Sequence, residues 1–305
     1  MLSVSLQPKQ VGRFTLQANQ SRARSASVRS SRTRSVVSAM TNMKGMPTLH
    51  SVWKVPKADE AKVDAIWKAH EEWMRATHTH GTAGSDEEKP RLPKFTISKG
   101  KELKDPMNPE SGETGNLLYV MSEIYAAPEG IAGHFKIGEG LEMMANIMDG
   151  IPKYGYFMEV GTCQVIACME DEAKPIATPA GHPTLHVVYK APKSEEATYD
   201  AMFKSHEEFM RRTHTMNPAG KDEDAPRMSS YYVAKGQELN DPMNPESGAT
   251  GKVLYIISET YYAPTGIAGH FKQAESWPLF SQLMEKNAAD SYFIEMSCQV
   301  FTTFG

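Results

Sequence analysis

The sequence predicts an α+β fold built from two units of one design. Three observations carry that prediction: a long internal repeat, periodicities that alternate in a fixed order within each repeat, and a strand that is apolar on both faces. PTLH at 47–50 returns at 183–186, HEE at 70–72 at 206–208, DPMNPESG at 105–112 at 241–248, and GIAGHFK at 130–136 at 266–272. The offset stays at 136 until the last strand, where Cys163 matches Cys298 after the loss of one residue. Roughly half of the aligned positions are identical, and the unit is too long for a solenoid repeat of about 20–50 residues.

Each element follows from its period. Leu49–Val55 and Leu185–Ala191 alternate between prolines and predict strands. From Asp59 to Thr77, Val63, Ile66, Trp67, Met74 and Thr77 fall at helical spacing, with Trp73 at the edge of the stripe. The second copy places Tyr199, Met202, Phe203, Met210 and Thr213 there. A polar loop leads to a strand at Lys94–Ser98. The turn-rich DPMNPESGETG then opens a strong strand, Asn116–Tyr125. The turn Ala127-Pro128 starts a second helix at about Gly130, and a last strand covers Tyr156–Ile166.

Strand, helix, strand, strand, helix, strand is the ferredoxin-like βαββαβ order, a four-stranded antiparallel sheet with both helices on one face. In the strong strand Leu118, Val120 and Ile124 alternate with Leu117, Tyr119, Met121 and Tyr125, so the face away from the helices also needs cover. The other copy can supply it. The expectation is therefore two such units, 46–169 and 183–305, joined by a linker at 170–182 and facing each other as an intramolecular dimeric α/β barrel, a pseudo-dimer within one chain.

The first forty residues hold seven Lys/Arg and no Asp or Glu, and SRARSASVRSSRTRSVVSAM has no apolar core. That composition predicts an organelle transit peptide over 1–40 rather than a secretory signal, with a basic disordered arm as the alternative. Val37-Ser38-Ala39 resembles the V-x-A cleavage context of green-algal plastid transit peptides, which points to the chloroplast, with the mitochondrion as alternative. The remainder has 26 basic against 37 acidic residues, net −11, a balance that disfavours a nucleic-acid partner. No apolar run reaches the roughly 18 residues of a membrane span. Cys163, Cys168 and Cys298 form no C-x-x-C and predict neither a disulfide framework nor a thiolate zinc site.

The strand ending Glu123-Ile124-Tyr125 or Glu259-Thr260-Tyr261, the turn A-P-x-G and the helix opening I-A-G-H-F-K resemble the central signature of the antibiotic-biosynthesis-monooxygenase (ABM) type of dimeric α/β barrel. The resemblance spans each copy from first strand to last. It implies a small-molecule site, for an aromatic or polyketide-like compound, between helices and sheet. That family includes cofactor-free oxygenases, haem-degrading oxygenases, isomerases and proteins with no activity, so a non-catalytic binding or stress-response protein is a second expectation. Haem-degrading members use an asparagine on the first strand and a tryptophan and histidine on the later helix. Here the first strand offers His50, Ser51 and Val52, and His134 stands in the tryptophan's place.

His134 and His270, one turn into the second helix, are the expected bases or orienting groups, since a histidine near neutrality suits proton transfer. Hydrogen-bonded packing is the alternative for both. His70 and His206 lie on the apolar stripe of the first helix and can reach the same pocket. Glu123 and Glu259, carboxylates in apolar strands, must find a partner or hold a proton; a His–Glu couple with His134 or His270 is one expectation, and a solvated place at the sheet rim is the alternative. Tyr125, Phe135 and Trp67, with Tyr261, Phe271 and Phe203, are expected to line the ligand site. His78 and His214, at a helix C-terminus, read as dipole partners. His50 and His186, with Lys54 and Lys190, point to the inter-copy face.

HEEWM lacks the second histidine of H-E-x-x-H, and no nucleotide-binding glycine motif is present. The leading expectation thus has no cofactor and no metal. A metal- or haem-dependent enzyme stays as a third reading, since His70, His134 and Glu123 could together hold a divalent ion.

Overall fold

The computed structural model describes residues 42–86, 89–169, 179–223 and 225–304. The transit-peptide expectation for 1–40 and most of the 170–182 linker lie outside the described residues. The first half runs β1 (Pro47–Pro56), α1 (Glu60–Thr77), the two-residue parallel pair β2 (Thr79–His80) and β3 (Arg91–Leu92), β4 (Lys94–Leu103), β5 (Glu113–Ile124), α2 (Pro128–Gly138), α3 (Glu142–Tyr154) and β6 (Gly155–Met169). The second runs β7 (Thr184–Pro192), α4 (Glu196–Thr213), β8 (Met228–Leu239), β9 (Ala249–Tyr261), α5 (Pro264–Ala274), α6 (Phe280–Asp290), β10 (Ser291–Glu295) and β11 (Cys298–Phe304).

The expected α+β element order is present in both halves, and the strands pair antiparallel in the order β10-β7-β9-β8-β6-β1-β5-β4-β11. Two strands connect the halves. The start of β6 pairs with β1, and its end crosses to β8, Cys163 facing Gly236. The last strand of the second half is split: β10 pairs with β7, and β11, two residues later, pairs with β4, Cys298 facing Gly100.

The pleat sorts the side chains into three cores. Trp53, Trp67, Met74, Tyr119, Met121 and Tyr125 pack under the first-half helices. Tyr189, Phe203, Met210, Tyr255 and Tyr261 do so in the second half. Between them Val52, Leu118, Val120, Phe157 and Cys163 meet Val188, Tyr232, Leu254, Ile256 and Cys298, which answers the need for cover on the second sheet face. His50 and His186 sit on that face, as expected. His50 lies 2.8 Å from Tyr232 Oη through Nε2 and 3.2 Å from Glu159 Oε2 through Nδ1. His186 Nδ1 lies 2.5 Å from Glu295 Oε1.

One element departs from expectation. The second helix of each half is two helices, not one. In the first half α2 stops at Gly138, and Gly140 at φ 79° redirects the chain into α3. A left-handed residue breaks the helix where glycine alone adopts it without steric cost. Met144, Ile147 and Ile151 then bring a second apolar stripe back over the sheet, a stripe the copies do not share in sequence.

Candidate functional site

Three buried histidines and one buried glutamate meet under the helices of each half. In the first, α1 supplies His70 and α2 supplies His134, while β5 delivers Glu123 at the helix-facing end of its run. The fourth is His78. It caps α1 with extended backbone, its amide bonded to Met74 O, and that turn swings the imidazole inward. Its position at the helix end matched expectation. Its membership of the site did not, because spacing along a helix says nothing of a side chain just beyond its last turn.

The hydrogen bonds fix the proton positions of two of these rings. Thr77 Oγ1 donates its only proton to Trp73 O (2.7 Å), so His78 Nδ1 must be the donor to Thr77 Oγ1 (2.9 Å). A neutral His78 then accepts at Nε2, and His134 Nδ1 donates to it (3.3 Å). The second half repeats the relay: Thr213 to Phe209 O (2.8 Å), His214 to Thr213 (2.8 Å), and His270 to His214 (3.1 Å). His134 and His270 are thereby held by histidine.

The expected His134–Glu123 couple does not form. Tyr125 Oη donates to Glu123 Oε2 (2.5 Å), and Tyr261 likewise bonds Glu259. Adjacent tyrosine reaches the carboxyl more easily than a ring on a separate helix. Glu123 Oε1 stays 3.9 Å from His70 Nε2, beyond hydrogen-bond reach.

Burial governs the electrostatics. It pushes His70 down to about 3 and His78 to about 4, and holds His134 well below the ordinary imidazole range, helped by the other two rings. The same cause raises Glu123 to about 8, the Tyr125 hydrogen bond opposing it. His206 and His270 are lowered mainly by burial, and His214 falls to about 3. At neutral pH the first site therefore holds neutral imidazoles and a largely protonated carboxyl. The expectation of a histidine poised near neutrality is corrected: too little water reaches these rings.

A cavity of about 30 Å³ opens beside His70 and His134, lined also by Ser51, Trp53, Trp67, Phe135 and the α3 residues Met144, Ile147, Met148 and Ile151. Of the residues expected at a ligand site, Trp67 and Phe135 line this cavity. Tyr125 and Glu123 lie behind it and do not line it. Trp73, at the edge of the α1 stripe, packs edge-on against His134 (4.9 Å) and His78 (5.2 Å).

The halves differ in polar bookkeeping. Ser51 Oγ, the indole nitrogens of Trp53, Trp67 and Trp73, His70 Nδ1 and Glu123 Oε1 are all buried without a hydrogen-bond partner. The matching second-half residues are Val187, Tyr189, Phe203, Phe209, His206 and Glu259. Tyr189 is bonded to Asn287, and His206 Nδ1 to Tyr231 Oη (3.0 Å). Trp277, in the place of the exposed Leu141, stacks on Phe209 and donates to Ser205 Oγ (2.9 Å). Phe203 and Phe271 here belong to, or pack on, the second-half core, with Tyr261 bonded behind them.

No family model matches the sequence, and no curated protein matches it. Among solved structures, an anthrone oxidase-like protein superposes with a TM-score of 0.47 at 11% identity, over 85% of this chain and 93% of that one. An uncharacterized ferredoxin-fold protein from Listeria monocytogenes, related to antibiotic biosynthesis monooxygenases, gives 0.37 at 10% identity, over 86% and 98%.

Proposed function

We propose that this chain is an ABM-type, monooxygenase-like protein whose first-half site takes a small, oxygen-bearing aromatic or polyketide-like molecule. The single observation behind this reading is the set of six unpartnered polar atoms around His70 and the cavity. Each such atom costs about 1–3 kcal/mol when buried alone, and the second half has replaced or paired most of its counterparts. The indole N–H groups of Trp53 and Trp67, which line the cavity, can only donate, so the ligand they suit carries carbonyl or hydroxyl oxygens. His134 or His70, neutral at working pH, accepts from an acidic hydroxyl of the same molecule and orients it.

The cavity sets a condition. About 30 Å³ holds a water, whereas an apolar cavity that binds benzene measures about 150 Å³. A ring therefore enters only as Met144 and Met148 swing aside, which unbranched thioethers do readily, with Gly140 as the pivot of α3. The same tightness favours a second reading, binding without turnover.

The test is oxygen uptake and ligand-dependent tryptophan fluorescence with a panel of hydroxylated polycyclic aromatics. His134→Ala is expected to lower kcat/KM at least 100-fold with the protein still folded at assay temperature, and His270→Ala less than threefold. Equal losses, or none, would sink the first-half assignment; fluorescence change without oxygen uptake would select the binding reading.

We read the architecture as two duplicated units closing into one barrel, supported by the 136-residue repeat and by β10 and β11 occupying opposite ends of one strand order. Residues 1–40 are proposed as the transit peptide. A fluorescent protein fused after residue 45 should enter the plastid; retention in the cytosol would refute this.

A further inference from the structure

We infer that each half holds one first-row divalent transition-metal ion, ligated by His70, Glu123 and His134 in the first and by His206, Glu259 and His270 in the second. In each trio one ligand atom per residue lies within 4.8 Å of the others, and all six residues are buried. His70 Nε2 and Glu123 Oε1 stand 3.9 Å apart, as do His206 Nε2 and Glu259 Oε1 at 4.0 Å. Bonds of about 2.0–2.2 Å to one ion need ligand separations of about 3.3 Å, so side-chain shifts below about 1.5 Å complete the site.

The surroundings match what a metal site requires. Two imidazoles and a carboxylate with free coordination positions select a divalent first-row ion. Metal-bound carboxylates and histidines are held by outer hydrogen bonds. Tyr125 and Tyr261 take one carboxyl oxygen of each glutamate, and His78 and His214 fix the ring of His134 and His270. Glu123 Oε1, buried and unpartnered, is the atom left for an ion. In the second half Tyr231 bonds His206 Nδ1 and leaves Nε2 turned toward Glu259. This inference uses the residues of the proposed ligand site but does not depend on that reading, since the second half keeps the trio without the unpartnered indoles.

The experiment loads the full chain with Co(II) alone, followed by dialysis, metal analysis and visible absorption. Two ions per chain are expected, with a d–d band. Trp73, 5.6 Å from His70, and Trp277, 5.3 Å from His206, should lose at least half of their fluorescence. Glu123→Gln should leave one ion, and Glu123→Gln/Glu259→Gln none. The pair His70→Gln/His206→Gln gives the same reading if the glutamine pair melts below assay temperature. Fewer than two ions per chain, or retention in both double variants, overturns the inference. Failure of oxygen uptake with two ions bound would count only against the function proposed above.

Discussion

Lowering the pH from 7.5 to 5 is expected to destabilise metal-free residues 42–304 by about 3 kcal/mol. His70, His78 and His214 have folded values near 3 or 4 against about 6.5 in the unfolded chain. Below 6.5 the unfolded chain binds protons that these rings refuse, so stability falls as pH falls. Each ring removes about 1.4 kcal/mol per pH unit, and the three together about 6 kcal/mol by pH 5. His50, His134, His206 and His270 act in the same direction.

Glu123 works oppositely. Raised to about 8, it contributes stability that is full below its unfolded value and is lost as pH rises through 8. It returns roughly 3 kcal/mol on the way from pH 7.5 down to pH 5. The net loss is still a large part of a typical stability of 5–15 kcal/mol. Thermal melts followed by near-ultraviolet circular dichroism from pH 9 to 5 give the answer. A flat melting temperature between 7.5 and 5 would refute the assignment of neutral, buried imidazoles. Glu123→Gln should remove the alkaline decline.

Gly236→Ala is expected to cost about 3 kcal/mol, the upper end for an overpacked interior. A Cβ there would stand 2.1 Å from Thr162 O and 2.6 Å from Cys163 Cα. Those are backbone atoms, and Glu159 Oε1 holds that stretch through Thr162 N (2.8 Å) and Cys163 N (2.9 Å). Gly100 meets Ser297 O and Cys298 in the same way. Gly220→Ala, whose Cβ comes no nearer than 3.4 Å to any neighbour, is the control and should change stability by under about 1 kcal/mol. Urea unfolding of the two variants decides. Similar midpoints would mean that the crossing of β6 and β8 yields.

The strands and α1 were legible because proline, alternation and a helical stripe are local signals. Placing His70, His134 and Glu123 together was legible because α1 and α2 had to cover one sheet face. The partners were not. Tyr125 takes Glu123 through a two-residue spacing along β5 that also fits plain alternation, and His78 enters through a cap. The partnerless indoles of Trp53, Trp67 and Trp73 read in sequence as ordinary core. Glu159 and Glu295 gave no signal beyond recurring in both copies, yet they bond His50 and His186 and hold the two crossings between halves. The split of β10 from β11 is a tertiary effect, since Met296 and Ser297 look like strand residues.

That split has a consequence for synthesis. β11, the last seven-residue strand, pairs with β4, about two hundred residues earlier in the chain. A chain still being made, or cut before residue 298, leaves the edge of β4 bare, and loss of β10 as well bares β7. Bare edges template pairing with other chains, and contacts of such sequence separation form slowly. Until residues 298–304 arrive, a nascent chain carries this bare edge and is a ready partner for its neighbours.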